Sequence, residues 1–215
     1  MSAIIIDGKA LATEIREKIK EDTARMTSAG IRPGLAVVLV GDDPASKVYV
    51  RNKKAACEEA GILSEEYTLP ASTSEAELLE LIHKLNNKKD IHGILVQAPL
   101  PSHINFKTIT ENILPEKDVD AFHPYNVGKI MIGDFDFLPC TPAGVMELIK
   151  KAGVSVSGKN CVVVGRSNIV GKPQSMLLLK ENGTVTICHS KTENLADFTK
   201  KADILVVAVG RAEMI

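Results

Sequence analysis

Neither sign of charge is in excess: 26 Lys and Arg stand against 27 Asp and Glu, a net charge of -1. That balance gives no footing for a nucleic-acid or acidic-membrane partner. Short basic runs such as Lys53-Lys54 and Lys150-Lys151 read as solvated helix faces. No apolar run approaches the ~18 residues a membrane span requires without meeting a charge or a glycine. The Ile4-Ile5-Ile6 run ends at Asp7, too short for a signal-peptide core. The four cysteines, Cys57, Cys140, Cys161 and Cys188, form no Cys-x-x-Cys pair, which argues against a zinc site. A reduced, cytoplasmic chain is the simpler reading, with Cys161 and Cys188 as small core residues in apolar runs. Repeats and low-complexity tracts are also lacking.

What is present is an ordinary globular composition, 45% apolar and 25% charged over 215 residues. That length suits one large domain or two small ones. Leu11, Ile15, Ile19 and Met26 recur near helical spacing, closed by Gly30. Leu35 to Val40 is an apolar run of strand length. A helix is expected from about Ala45 to Ala60, then a strand from Glu66 to Leu69. Ser74 and Glu77 form a capping box ahead of Leu78, Leu81, Ile82 and Leu85. Ile91 to Val96 is the next strand, stopped by Pro99 and Pro101, which lack N–H groups. Alternating strands and helices imply a mostly parallel sheet.

Thr141-Pro142 reads as a second helix start, an N-cap hydroxyl followed by Pro at the first helical position, with the helix running to about Ala152. Beyond it come a strand (Asn160 to Val164), a loop (Gly165 to Pro173), a helix (Gln174 to Lys180), a strand (Thr184 to Cys188), a helix (Leu195 to Lys200) and a strand (Ile204 to Val209). This is the mononucleotide-binding half of a Rossmann sheet.

Gly165-Arg166-Ser167-Asn168-Ile169-Val170-Gly171 follows a buried strand and opens a helix. It departs from G-x-G-x-x-G by Ser167 at the middle glycine and by one extra residue. Its context supports phosphate binding at a helix N-terminus; the plain alternative is a strand-to-helix turn that needs glycine. An NAD site carries an acid at the end of the next strand. Here that strand ends Cys188-His189-Ser190-Lys191, with no acid. Ser190 can donate a hydrogen bond to a 2′-phosphate, and Arg166 and Lys191 can supply charge. These residues favour NADP.

Tyr49 and Lys53 are four apart on the expected Ala45–Ala60 helix and share a face. That helix follows the carboxyl end of a strand, where open α/β sheets bind ligands. The bland reading is a half-buried tyrosine beside a solvated lysine. Gln97 sits at a strand end, where its amide could hold a lysine or a water. Asp118 and Asp120 either bind a ring amino group or cap a turn. His123, next to Pro124, reads as structural.

Taken together, Pro44-Ala45-Ser46, Tyr49 and Lys53, then Gly93 to Pro101, Lys117 to Asp120, Phe122 to Gly128, Pro139-Cys140-Thr141-Pro142 and Gly165 to Pro173 resemble the bifunctional methylenetetrahydrofolate dehydrogenase/cyclohydrolases. The resemblance spans essentially the whole chain. It implies an α/β fold: an N-terminal catalytic, folate-binding domain (1–140) followed by a Rossmann-type NADP-binding domain (141–215), incomplete at its C-terminal end. It implies NADP-dependent oxidation of methylenetetrahydrofolate and hydrolysis of the methenyl product. Lys53 then resembles the lysine that manages protons as water attacks, Tyr49 the tyrosine packed on folate, and Gln97 the glutamine that holds the lysine. Asp120 resembles the carboxylate that bonds the pterin. Val96 and Ala98 would line the folate site, and Gly165, Arg166, Ser167 and Ser190 the NADP pocket. A homodimer is the usual assembly in such enzymes.

The chain departs from the family at Ala98, where a larger apolar residue is usual. The family also continues past the equivalent of Ile215, adding the rest of the Rossmann sheet, a Pro/Gly-rich loop and a last helix. An open sheet edge and weak activity or stability of this chain by itself are therefore expected. The alternative is a non-catalytic or weakly active folate- or nucleotide-binding fragment. A short-chain dehydrogenase also uses Tyr-x-x-x-Lys, but there the cofactor loop precedes the tyrosine. A shikimate-type dehydrogenase shares the two-domain layout without the Gln97-x-Pro-Leu-Pro stretch.

Overall fold

The computed structural model describes residues 3–211 and 214–215. These form two compact units, one of Asp7–Val119 and one of Asp120–Ile215 with the residues before Asp7.

The first unit runs α1 (Gly8–Ser28), β1 (Gly34–Val40), α2 (Pro44–Glu59), β2 (Leu63–Leu69), α3 (Glu75–Asn86), β3 (Gly93–Val96) and α4 (Phe106–Asn112). Its three strands are parallel in the order β2-β1-β3. The central strand is buried on both faces, which is why it reads as a continuous apolar run. Ala36, Val38 and Val40 join Leu78, Ile82 and Leu85 of α3 and Ile109 of α4 in one layer of core. Val37 and Leu39 point the other way, into a smaller cluster with Val50 of α2 and Leu95 of β3. Leu78, Ile82 and Leu85 are wholly buried; burying each contributes about 1.5–3 kcal/mol. The capping box closes as expected, Ser74 Oγ accepting the Glu77 N–H at 3.2 Å and Glu77 Oε2 accepting the Ser74 N–H at 2.8 Å.

The second unit runs α5 (Pro124–Ile132), α6 (Cys140–Lys151), β4 (Asn160–Val164), α7 (Gly171–Lys180), β5 (Thr184–Cys188), α8 (Leu195–Thr199) and β6 (Ile204–Val207). Its strands are also parallel, in the order β5-β4-β6. Cys161 and Val163 face Leu178 of α7 and, more peripherally, Met146 of α6. Val162 and Val164 face the opposite layer with Cys188 and Leu195. Cys161 and Cys188 are wholly buried, as core residues should be. Burial raises both thiols above the usual range and keeps them unreactive.

Three local expectations are corrected. The helix expected to begin at Thr141 begins at Cys140, with Pro139 as its cap and Pro142 inside the first turn; a first-turn proline loses no helical bond. The helix expected from Gln174 starts at Gly171, with Val170 as its cap residue and the loop's Ser167 Oγ accepting the Gly171 N–H. Finally, α4 and α5 were not expected. They are short, opened by Asn105 and His123, whose side chains accept first-turn N–H groups. His123 is therefore structural, as read.

Candidate functional site

In the first unit the chemistry gathers at the carboxyl ends of the parallel strands. Asp43 caps α2 by accepting the Ser46 N–H at 2.7 Å, and Pro44 occupies the first turn. That bond holds the Asp43 carboxyl below its usual range. The helix is thereby fixed just after β1, and Lys53 lies in its third turn. On the other side of β1, Val38 pairs with Val96, and the Gln97 N–H continues the ladder to the Val38 carbonyl at 2.9 Å. Gln97 thus leaves β3 opposite α2, at the point where the strand order reverses. Crevices that bind ligands form at such points.

Lys53 and Gln97 meet there. Lys53 Nζ donates to Gln97 Oε1 at 2.7 Å. The other end of the amide is also fixed: Gln97 Nε2 donates to the Ala98 carbonyl at 2.7 Å. Ser46, 2% exposed, aims its hydroxyl at that same carbonyl from 3.4 Å. The Ala98-Pro99 peptide is cis. Sequence reading assigned Ser46 no role. Its place in the first turn of the lysine helix was a usable signal, but its partner lies 52 residues away.

The bland reading of Tyr49 and Lys53 is reversed. Tyr49 is 61% exposed, whereas Lys53 is half-buried. An exposed aromatic one turn before a bonded lysine offers a flat apolar surface beside a cation. Val96 is buried and Ala98 exposed, so only the second is open to a ligand directly. Asp118 is 2% exposed and its backbone bridges to Ile94 of β3. Asp120, half-buried, opens the second unit.

In the second unit the loop after β4 turns back on itself. The Gly165 N–H donates to the Cys188 carbonyl at 2.8 Å. Gly165 has φ +140, and a Cβ there would lie 2.5 Å from the Ala208 carbonyl oxygen. A Cβ on Gly171 would lie 2.2 Å from the Gly165 carbonyl oxygen. Only glycine allows the first turn of α7 to sit this close to the strand end. Ser167 Oγ accepts the N–H groups of Val170 and Gly171 at 3.1 and 3.3 Å. The Ser167 hydroxyl keeps its own proton to donate.

Val164 pairs with Cys188, so Arg166 and Ser190 each lie two residues beyond adjacent strand ends. Both are exposed. The first acid after β5 is Glu193. Among the described residues no cluster of three or more His, Cys, Asp or Glu could hold a metal, and no helix is long and apolar enough to cross a membrane.

Two parallel α/β sheets, one ending in a lysine–glutamine pair and the other in a glycine-bounded loop, define a two-unit dehydrogenase-like protein with a dinucleotide-binding half. The family model for the tetrahydrofolate dehydrogenase/cyclohydrolase catalytic domain matches residues 6–120, and that for its NAD(P)-binding domain matches residues 139–215. The chain is 60% identical over 215 residues to the bifunctional protein FolD of Acetivibrio thermocellus, covering all of this chain and 75% of that one. A crystal structure of the bifunctional enzyme FolD from Campylobacter jejuni superimposes with a TM-score of 0.97 at 47% identity, over 100% of this chain and 76% of that one. The Trypanosoma brucei enzyme, solved with NADP cofactor and an inhibitor, gives 0.93 at 38% identity, over 98% and 73%. The chain belongs to the tetrahydrofolate dehydrogenase/cyclohydrolase family.

Proposed function

We propose that this chain oxidises 5,10-methylenetetrahydrofolate to the 5,10-methenyl cation with NADP, and hydrolyses that cation to 10-formyltetrahydrofolate. The observation that carries the reading is the Lys53–Gln97 bond of 2.7 Å at the carboxyl ends of the first sheet.

The loop after β4 fits a dinucleotide phosphate. It is close-packed through Gly165 and Gly171, and the Ser167 hydroxyl has a proton to give. Arg166 and Ser190 lie beyond adjacent strand ends with no carboxylate at 188–191 to repel a 2′-phosphate. Residues 141–215 would hold the cofactor and residues 1–140 the folate. Bound NADP supplies the hydride acceptor for the methylene carbon. Arg166 and Ser190 would hold the 2′-phosphate, and Ser167 would donate to the pyrophosphate.

For hydrolysis, water adds to the methenyl carbon, the bond from that carbon to N5 breaks, and one proton is released. Lys53 handles this proton at Nζ, as general acid–base groups do. Gln97 accepts one N–H and so keeps Nζ aimed, and in the amine form the Nζ lone pair is left to take that proton. Tyr49 packs on the folate ring, Ala98 shapes the wall of the site with Val96 buried behind it, and Asp120 accepts from the pterin. A homodimer in the cytoplasm completes the reading.

The alternative of a non-catalytic or weakly active folate- or nucleotide-binding chain is not favoured, because identity near 60% runs along all 215 residues and the lysine–glutamine pair is intact. The test is an absorbance assay with methylenetetrahydrofolate and each nicotinamide, beside Lys53→Ala. The variant should lose hydrolysis by on the order of a hundredfold or more with an unchanged melting curve. Hydrolysis at the parental rate would remove Lys53 from the mechanism.

A further inference from the structure

The turn beyond β5 carries Ser190 and Lys191, and side chains close it. The His189 carbonyl accepts the Thr192 N–H at 2.8 Å. In return, Thr192 Oγ1 accepts the His189 N–H at 2.8 Å. His189 Nδ1 accepts the Lys191 N–H at 3.2 Å, which puts the ring proton on Nε2. Three hydrogen bonds thus fix four residues. The anchoring pair, His189 and Thr192, is half-buried, while Ser190 and Lys191 between them are exposed.

We infer that His189 and Thr192 are positioning residues that select the adenosine 2′-phosphate by holding Ser190 and Lys191 in place before the ligand arrives. The inference rests on the NADP reading above. A hydroxyl and an ammonium discriminate a phosphate only when their donors converge on it. A turn ordered in advance loses less of that contact's free energy to ordering on binding. Neither anchor needs to touch the ligand. Arg166 lies beyond the other strand, so its share of the charge is independent of this turn.

A merely structural turn would affect all nucleotides alike, and this distinguishes the two roles. The probes are 2′,5′-ADP and 5′-AMP, which differ only in the 2′-phosphate, titrated calorimetrically against the full chain. His189→Phe keeps a ring but removes the Nδ1 acceptor; Thr192→Val keeps the shape but removes Oγ1. Each should weaken 2′,5′-ADP by about tenfold, the scale of one lost hydrogen bond, and leave 5′-AMP within about twofold. His189→Asn, whose Oδ1 can stand in for Nδ1, and Thr192→Ser should retain the parental preference. Either anchor carries the test, so misfolding of one variant leaves the other decisive. Equal weakening of both ligands, or an undiminished preference in the Phe and Val variants, overturns the inference. A parental chain that binds both probes equally overturns the NADP reading, and the inference falls with it.

Discussion

Lys53 Nζ donates to Gln97 Oε1 at 2.7 Å, and that amide is held in one orientation because its nitrogen donates to the Ala98 carbonyl. An amide reversed end for end would set its own N–H groups against an ammonium. The Ala98 carbonyl therefore acts at a distance on the lysine: it decides which face Gln97 presents. The interaction is neutral on the glutamine side, so it aims the lysine without adding a counter-charge.

The neutrality is testable with Gln97→Glu. A carboxylate in place of the amide stabilises the charged amine, since opposite charges favour each other's ionised forms. It also loses the donor to Ala98. Hydrolysis at neutral pH should fall by about tenfold or more, with smaller change in NADP-dependent oxidation. Stopped assays of both steps on one preparation separate them. Equal loss in both would mean that Gln97 only shapes the folate site.

A second prediction concerns the acid-free end of β5. Ser190→Asp introduces the kind of carboxylate that holds a ribose 2′-hydroxyl and repels a 2′-phosphate. Affinity for NADP should drop by on the order of tenfold or more, while NAD is held as well or better. Fluorescence titration with the two cofactors reads the ratio directly. An unchanged ratio would place the 2′-phosphate away from Ser190.

The strands were legible wherever both faces are buried: Leu35 to Val40 and Asn160 to Val164 announce themselves as apolar runs and pair as parallel strands. The capping box at Ser74 and Glu77 was equally plain. The helices α4 and α5 were missed because each is too short to show a 3.6-residue repeat. Their signals were caps only: Asn105, and His123 with Pro124 and a closing Gly133. The start of α7 lies three residues upstream of Gln174, at Gly171, whose N–H is accepted by Ser167 Oγ inside the loop. The spacing of Tyr49 and Lys53 placed them on one helix, but the partner that engages Lys53 is Gln97, just past β3 and 44 residues away. The turn held by His189 and Thr192 gave only the absence of an acid as a clue, since reciprocal bonds over four residues leave no periodicity.

A third prediction uses a buried polar group without a role in the proposed chemistry. Gln174 on α7 is wholly buried, its Nε2 donating weakly to the Met146 sulfur at 3.3 Å while its Oε1 finds no partner. An unsatisfied buried acceptor costs about 1–3 kcal/mol. Gln174→Met has similar length and no such acceptor. It should raise stability by roughly 1 kcal/mol in urea unfolding, with the midpoint moving and the slope constant. A lower midpoint would show that Oε1 holds a structural water.

The last prediction concerns the edge strand β2. Glu65 accepts Lys88 Nζ at 2.5 and 2.6 Å and the Tyr67 hydroxyl at 2.5 Å. The Lys88 bond, then the Tyr67 bond, hold the Glu65 carboxyl below its ordinary value of 4.5. Lys88 and Tyr67 are both pushed up, chiefly by their bonds to Glu65. The Glu65 contribution is fully present above its unfolded value and is lost as pH falls through the depressed folded one. The Lys88 and Tyr67 contributions are present below their unfolded values, 10.5 and 10.0, and are lost as pH rises through the raised ones. Between these limits the cluster is intact. Melting temperatures of the parent and Glu65→Gln should therefore differ most from about pH 5 to pH 9. The gap should close below the carboxylate range, where the parent's Glu65 is itself protonated, and narrow again near the alkaline limit. Every other acid is common to both proteins, so the difference isolates this one carboxyl. A gap that persists undiminished at pH 3 would mean that Glu65 matters for its shape rather than its charge.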